Sequence, residues 1–155
     1  MHVWRVSFEK FCNDQLKGLG GLSSSGRWHF EGSRIIYTST TIALAAMEML
    51  AYFDLDTAPS GLMWFEIDIP DDITVEICDP LNLTPRWQEY PYPSETQLFG
   101  THWLIERRTC LLSVPSTHIP IERNILVNPE HVDISRIRVV NQEPFSYDPR
   151  LIKVK

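Results

Sequence analysis

Apolar and polar residues alternate through "HVWRVSF" at 2–8, which predicts an opening strand, and through "GLMWFEIDIP", where Leu62 to Ile69 predicts a half-buried one. "RIIYTS", "ITVEICD", "CLLSVPS", "RNILV" and "RIRVV" add short runs rich in β-branched and aliphatic side chains, with Asn128 and Pro129 turning the chain between the last two. Two stretches break the alternation. "IALAAMEML" predicts a helix through residues 41–53, capped by Thr40 or Thr41. A second helix is predicted over about 95–107, with Ser94 and Gln97 at capping-box spacing. The glycine- and serine-rich "KGLGGLSSSGRW" reads as a loop, and "PLNLTPRWQEYPYPS" as an ordered irregular segment. Two helices among many short strands predict an α+β domain built on a curved or split sheet with a cleft.

The first helix carries an oddity. Glu48 stands among alanine, methionine and leucine, and its neighbours at three- and four-residue spacing, Leu44, Ala45, Ala51 and Tyr52, include no cation. Either the carboxylate reaches solvent or the fold holds it at an apolar wall for a chemical purpose. The strand-to-helix junction just before it places Tyr37, Thr38 and Ser39 where recognition residues commonly sit.

Composition narrows the choices. With 155 residues, 43% hydrophobic and 22% charged, the chain has the size and make-up of one compact folded domain. Its net charge of -6 argues against gripping a phosphate backbone, so direct nucleic-acid binding is not expected. Cys12, Cys78 and Cys110 are odd in number and far apart, as free thiols in a reducing compartment are. The N-terminus lacks a signal-peptide core and "IALAAMEML" is too short to span a bilayer, so a cytoplasmic location with no membrane contact is expected.

Several chemistries lack their residues. His2, His29, His102, His118 and His131 are scattered without metal-ligand spacing, so no metal is expected, and most of them read as satisfied or solvent-facing. "GLGGLS" lacks the Lys-Ser/Thr of a phosphate loop, there is no Gly-x-Ser-x-Gly elbow, and Glu66 and Asp68 alternate as a solvated strand face. The stretch from 26 to 50 is more promising. Arg27 follows a glycine and could bind a phosphate or carboxylate, Tyr37 could stack on a ring, and Glu48 could face a developing positive charge. Each has a plain alternative: a surface ion pair for Arg27, core packing for Trp28 and Tyr37, solvent for Glu48.

"GRW" followed by a glycine, "IIYTS", "IALAAMEML", "LFGTHWL", "LLSVPS" and "ERNILVNPEH" occur in an order that resembles the RES domain, the toxin half of bacterial RES-Xre toxin-antitoxin modules. The resemblance spans nearly the whole chain, so residues 1–155 read as a single RES-type domain. It implies an ADP-ribosyltransferase-like fold and cleavage of the nicotinamide-ribose bond of NAD by hydrolysis or phosphorolysis, or transfer of ADP-ribose to protein. NAD would be a substrate, with no further cofactor. It also implies an Xre-type antitoxin as partner and inorganic phosphate as one acceptor; a non-catalytic binding module that kept the fold is the alternative. By residue, it assigns catalysis to Glu48, Arg27 and Tyr37, and substrate binding to Arg27, Trp28, Tyr37, Ser39 and Ser116. His29 stands where relatives often carry asparagine, which would alter acceptor preference or pH response if its side chain met ligand. An apolar surround is expected to strengthen the electrostatic action of Glu48.

Overall fold

The computed structural model describes residues 1–53 and 59–151. Seven strands form one sheet: β1 (His2–Phe8), β2 (Ile36–Ser39), β3 (Leu62–Asp68), β4 (Val75–Ile77), β5 (Leu111–Pro115), β6 (Arg123–Val127) and β7 (Arg138–Phe145). Their spatial order is β4-β5-β6-β2-β1-β3-β7, and all pairs are antiparallel except β4 with β5. The strands are those expected from the alternation. Helix α1 runs Ile42–Leu50 and α2 Ser94–Glu106.

The sheet is split. β1 and β3 pair along seven residues, and β2 and β6 along four, but β1 meets β2 only at Trp4 and Ser39. Two half-sheets are therefore joined at one point, and their strands diverge beyond it.

Alternation decides which side chains meet the helices. In β6, Ile125 and Val127 join Val3, Ile36, Ile67 and Leu111 in a core on one face, with Leu16 and Ile134 packed against it. Leu126 points the other way, into a core with Trp28, Trp103, Leu104 and Leu112 under α2. Val6, Ala45 and Leu62 anchor α1 on β1 and β3. Each of the buried valine, leucine and isoleucine side chains contributes about 1.5–3 kcal/mol relative to exposure.

Local details refine the expectations. Thr41, one of the two expected caps, accepts from Leu44 N–H at 3.1 Å, but α1 ends at Leu50 rather than continuing to 53. The Ser94/Gln97 capping box does not form. Ser94 is already helical behind Pro93, and the Gln97 amide is engaged elsewhere. Within the glycine-rich loop, Leu19–Leu22 makes a short 3-10 turn. All three cysteines are free thiols, and burial pushes Cys78 up to about 11 and Cys110 up to about 12. Glu66 and Asp68 face His2 across the β1–β3 pair, at 2.9 and 3.7 Å.

Candidate active site

One face of α2 holds the loop that carries Arg27. Gln97, Gly100 and Thr101 lie three and four residues apart and so share a side of the helix. Gln97 Nε2 donates to Gly26 O at 3.0 Å, and Thr101 Oγ1 accepts from Phe30 N–H at 3.1 Å. Between them Gly100 lets the Trp28 backbone lie on the helix: a Cβ there would sit 1.9 Å from Trp28 O. Gly26 is equally constrained, since its Cβ would fall 2.7 Å from the Tyr37 hydroxyl and from His29. The glycine of "LFGTHWL" thus admits the backbone of "GRW", and the glycine of "GRW" admits the Tyr37–His29 pair.

Arg27 reaches from this loop to the proline-rich segment. Its Nη1 donates to Trp87 O at 2.5 Å and Glu89 O at 2.9 Å, and its guanidinium lies 5.0 Å from the Tyr92 ring centroid. Nη1 is fully used, and among the described residues Nε and Nη2 have no hydrogen-bond partner. Burial lowers its pKa, opposed by Tyr92 and then by Glu48. An arginine still remains charged at any physiological pH. Trp28, 3% exposed, packs against Trp87 and Phe99 and contributes to the cleft wall.

Tyr37 and His29 form a closed pair. His29 Nε2 lies 3.0 Å from Ser24 O, which only accepts, so this nitrogen carries the proton. Nδ1 then accepts from the Tyr37 hydroxyl at 2.8 Å, and that hydroxyl in turn accepts from Trp28 N–H at 3.3 Å. Burial lowers the His29 pKa and raises that of Tyr37, so both stay neutral. The Tyr37 ring faces the cleft while its hydroxyl is committed, and His29 does not line the cleft.

Glu48 sits on α1 opposite the ends of β5 and β6. Asn124 occupies the β6 position that pairs with Ser39 of β2, on the helix-bearing face. Ser39 Oγ donates to Asn124 Oδ1 at 2.7 Å, and Asn124 Nδ2 donates to Glu48 Oε1 at 2.6 Å. Ser116 Oγ donates to the same oxygen at 2.7 Å and accepts from the backbone N–H groups of His118 and Ile119, both at 3.1 Å. Oε1 is therefore clamped by two donors. Oε2 is left toward the cleft, with His118 Nε2 at 3.6 Å. The expected apolar wall is corrected here: Glu48 is held by hydrogen-bond donors from distant strands, and its side chain is 27% exposed. A half-buried carboxylate cannot go without such partners, because unpaired burial of a charge costs too much.

The cleft has two connected lobes sharing Tyr37, Glu48, Tyr52 and Asn124. The larger, about 530 Å³, also takes in Arg27, Tyr90, Tyr92 and His118. The smaller, about 190 Å³, enters the split where β1 and β2 diverge. Aromatic rings and one fixed carboxylate facing a guanidinium suit a ligand with stacking rings, an anionic group and a centre of positive charge. Of the residues expected from sequence, Arg27, Trp28, Tyr37, Ser39 and Glu48 line these lobes. Ser116 is fully buried behind Glu48. Asn124, His118, Tyr52 and Tyr92 were not singled out by sequence; only the polar interruption of Asn124 in an aliphatic strand gave a hint. Among the described residues no three His, Cys, Asp or Glu side chains cluster as metal ligands, and no helix is long and apolar enough to cross a membrane.

Comparison with known proteins follows the same lines. The RES domain family model matches residues 2–148. The Prs ADP-ribosylating toxin of Sphingobium sp. (strain YBL2) is 33% identical over 154 residues, covering 97% of this chain and 96% of that one. Toxin Res of Yersinia enterocolitica is 30% identical over 152 residues, with 97% and 99% coverage. Toxin Res of Pseudomonas putida is 33% identical over 153 residues, again with 97% and 99% coverage. In fold, the chain is similar to the crystal structure of the M. tuberculosis MbcT-MbcA toxin-antitoxin complex, with a TM-score of 0.72, 16% identity, and coverage of 94% of this chain and 84% of the matched one.

Proposed function

Since the chain belongs to the RES domain family, we propose that it is the toxin of a toxin-antitoxin module and cleaves the nicotinamide-ribose bond of NAD in the cytoplasm, draining the cofactor and arresting growth. Glu48 carries this proposal: a single carboxylate, one oxygen clamped and the other open, set across a cleft from Arg27.

Breaking this bond needs only one carboxylate. Nicotinamide bears positive charge in NAD and leaves neutral, so no general acid need protonate it, unlike the leaving group of an ordinary glycoside. Charge grows instead on the ribose as the bond stretches. A carboxylate whose position is already fixed stabilises that charge without reorganising. Arg27, with Nε and Nη2 turned to no described partner, anchors the diphosphate, while Tyr37 and Trp28 shape the ring-binding wall. Ser39 and Ser116 act through Glu48 and Asn124 rather than on substrate.

Transfer of ADP-ribose to a protein is the second possibility, favoured by the 33% identity to a relative named an ADP-ribosylating toxin. Both reactions break the same bond and differ in acceptor: water, inorganic phosphate or a side chain. Control falls to an Xre-type antitoxin that closes the cleft, in keeping with the toxin-antitoxin complex whose fold this chain shares. The test is chromatography of NAD products formed by the full chain, with and without phosphate, alongside labelled ADP-ribose on candidate proteins. Free nicotinamide is expected in every case. Intact NAD after long incubation would overturn the proposal.

A further inference from the structure

We propose that His118 is the base on the acceptor side of the cleft, taking the proton from a hydroxyl-bearing acceptor as its oxygen attacks ribose C1′; this rests on the NAD-cleaving function above. Glu48 cannot fill that role as well. If its carboxylate took the acceptor's proton it would lose the negative charge that stabilises the ribose, so an O–H acceptor calls for a second base.

His118 stands where such a base must be. It lies on the loop from Pro115 to Arg123, closed by Ser116 N–H donating to Glu122 O at 3.0 Å. Its backbone N–H donates to Ser116 Oγ, the same hydroxyl that donates to Glu48, so one serine sets the position of both groups. His118 Nε2 and Glu48 Oε2 are 3.6 Å apart. That separation is too long for a direct hydrogen bond, yet one oxygen placed between them can lie about 2.8 Å from each. Among the described residues no hydrogen bond holds the imidazole ring, and its side chain is 36% exposed.

The other groups facing this point are poor candidates. Glu48 faces His118 from α1, Arg27 from its loop, and Tyr37, Tyr52, Tyr90 and Tyr92 from the remaining walls. Arg27 is a permanent cation, and phenols are acids rather than bases near neutrality. The imidazole of His29 does not line the cleft and has both nitrogens engaged.

The step balances. The electrons of the C1′–N bond leave with nicotinamide, which becomes neutral; an acceptor lone pair forms the C1′–O bond; the acceptor proton passes to His118 Nε2 and then to solvent. An anionic phosphate can attack through an oxygen already without a proton and does not need this base. His118 is therefore assigned to water or a protein hydroxyl as acceptor.

The test measures nicotinamide release by the full chain from pH 5 to 8.5 in phosphate-free buffer, for the parent, His118→Gln and His118→Gly with added imidazole. The parent's kcat should rise with pH across this range, as a rate that depends on a general base does. His118→Gln should lose about 100-fold or more in kcat, and the pH rise with it, while KM for NAD stays within about twofold. Imidazole should restore part of the activity of His118→Gly, a rescue that a structural role would not produce. Parent-like kcat and pH profile in His118→Gln would overturn the assignment, as would lack of rescue. Parent-level turnover of His118→Gln on adding inorganic phosphate, with a ribosyl phosphate product, would support it, because the base would then be dispensable. No nicotinamide from the parent would overturn the underlying NAD chemistry, and is read separately from any variant.

Discussion

Replacing Glu48 by glutamine separates charge from shape. The glutamine carbonyl can accept from Ser116 and Asn124 as Oε1 does now, at 2.7 and 2.6 Å, and its amide then turns toward the cleft. Two charge-assisted hydrogen bonds of about 1.5–3 kcal/mol become neutral ones of about 0.5–1.5 kcal/mol. Part of that loss is returned, since a charge no longer has to be held half out of water. A net destabilisation of about 1–2 kcal/mol follows, equivalent to a Tm lower by about 2–8 °C for a domain of this size. The catalytic effect should be larger. Removing one fixed group that stabilises transition-state charge costs about 2.7–4 kcal/mol, or about 100- to 1000-fold in kcat. Thermal melting, calorimetric NAD binding and nicotinamide release at saturating NAD measure the three quantities. The expected result is a folded protein with near-parental affinity and little turnover. A folded Glu48→Gln releasing nicotinamide within threefold of the parent would refute the electrostatic role.

Gly100→Ala should lower Tm by about 6 °C or more even though alanine is the better helix former, because the new Cβ would overlap Trp28 O; a melt at or above the parental Tm would contradict that packing. Arg27→Lys should weaken NAD binding about tenfold or more by calorimetry, since an ammonium cannot bridge Trp87 O and Glu89 O and also present a planar fork to phosphate; unchanged affinity would remove Arg27 from the site. The lowered pKa of His29 gives stability that is present above the ordinary imidazole pKa of 6.5 and lost as pH falls through the folded value. Denaturant melts of the parent should therefore weaken on the acid side of pH 6.5, and His29→Asn should show a smaller loss there.

Local periodicity was enough to locate the strands and both helices, because alternation and helical spacing are properties of neighbouring residues. For Arg27, Trp28, Tyr37 and Glu48, which line one cleft, local pattern left a plain alternative open in each case, and their roles came only as what the resemblance implies. What local pattern could not supply was the set of groups around Glu48. Asn124 and Ser116 lie 76 and 68 residues away in sequence. Nothing in "RNILV" says that its asparagine faces a helix until β6 is placed beside β2. His118 looked like one scattered histidine among five for the same reason. Gln97 misled in the opposite direction: its spacing from Ser94 suits a capping box, yet the tertiary bond to Gly26 O claims the side chain.

The hydrogen bonds to Glu48 also bear on how the chain is made. Synthesis adds about 5–20 residues per second from the N-terminus. Between residue 48 and residue 124 there are 76 positions, so about 4–15 s pass before the last of the two donors to Oε1 has been added. Throughout that interval the nascent polypeptide carries its carboxylate without Asn124 to hold it. The clamp on Glu48 is therefore completed only after most of the chain has been translated.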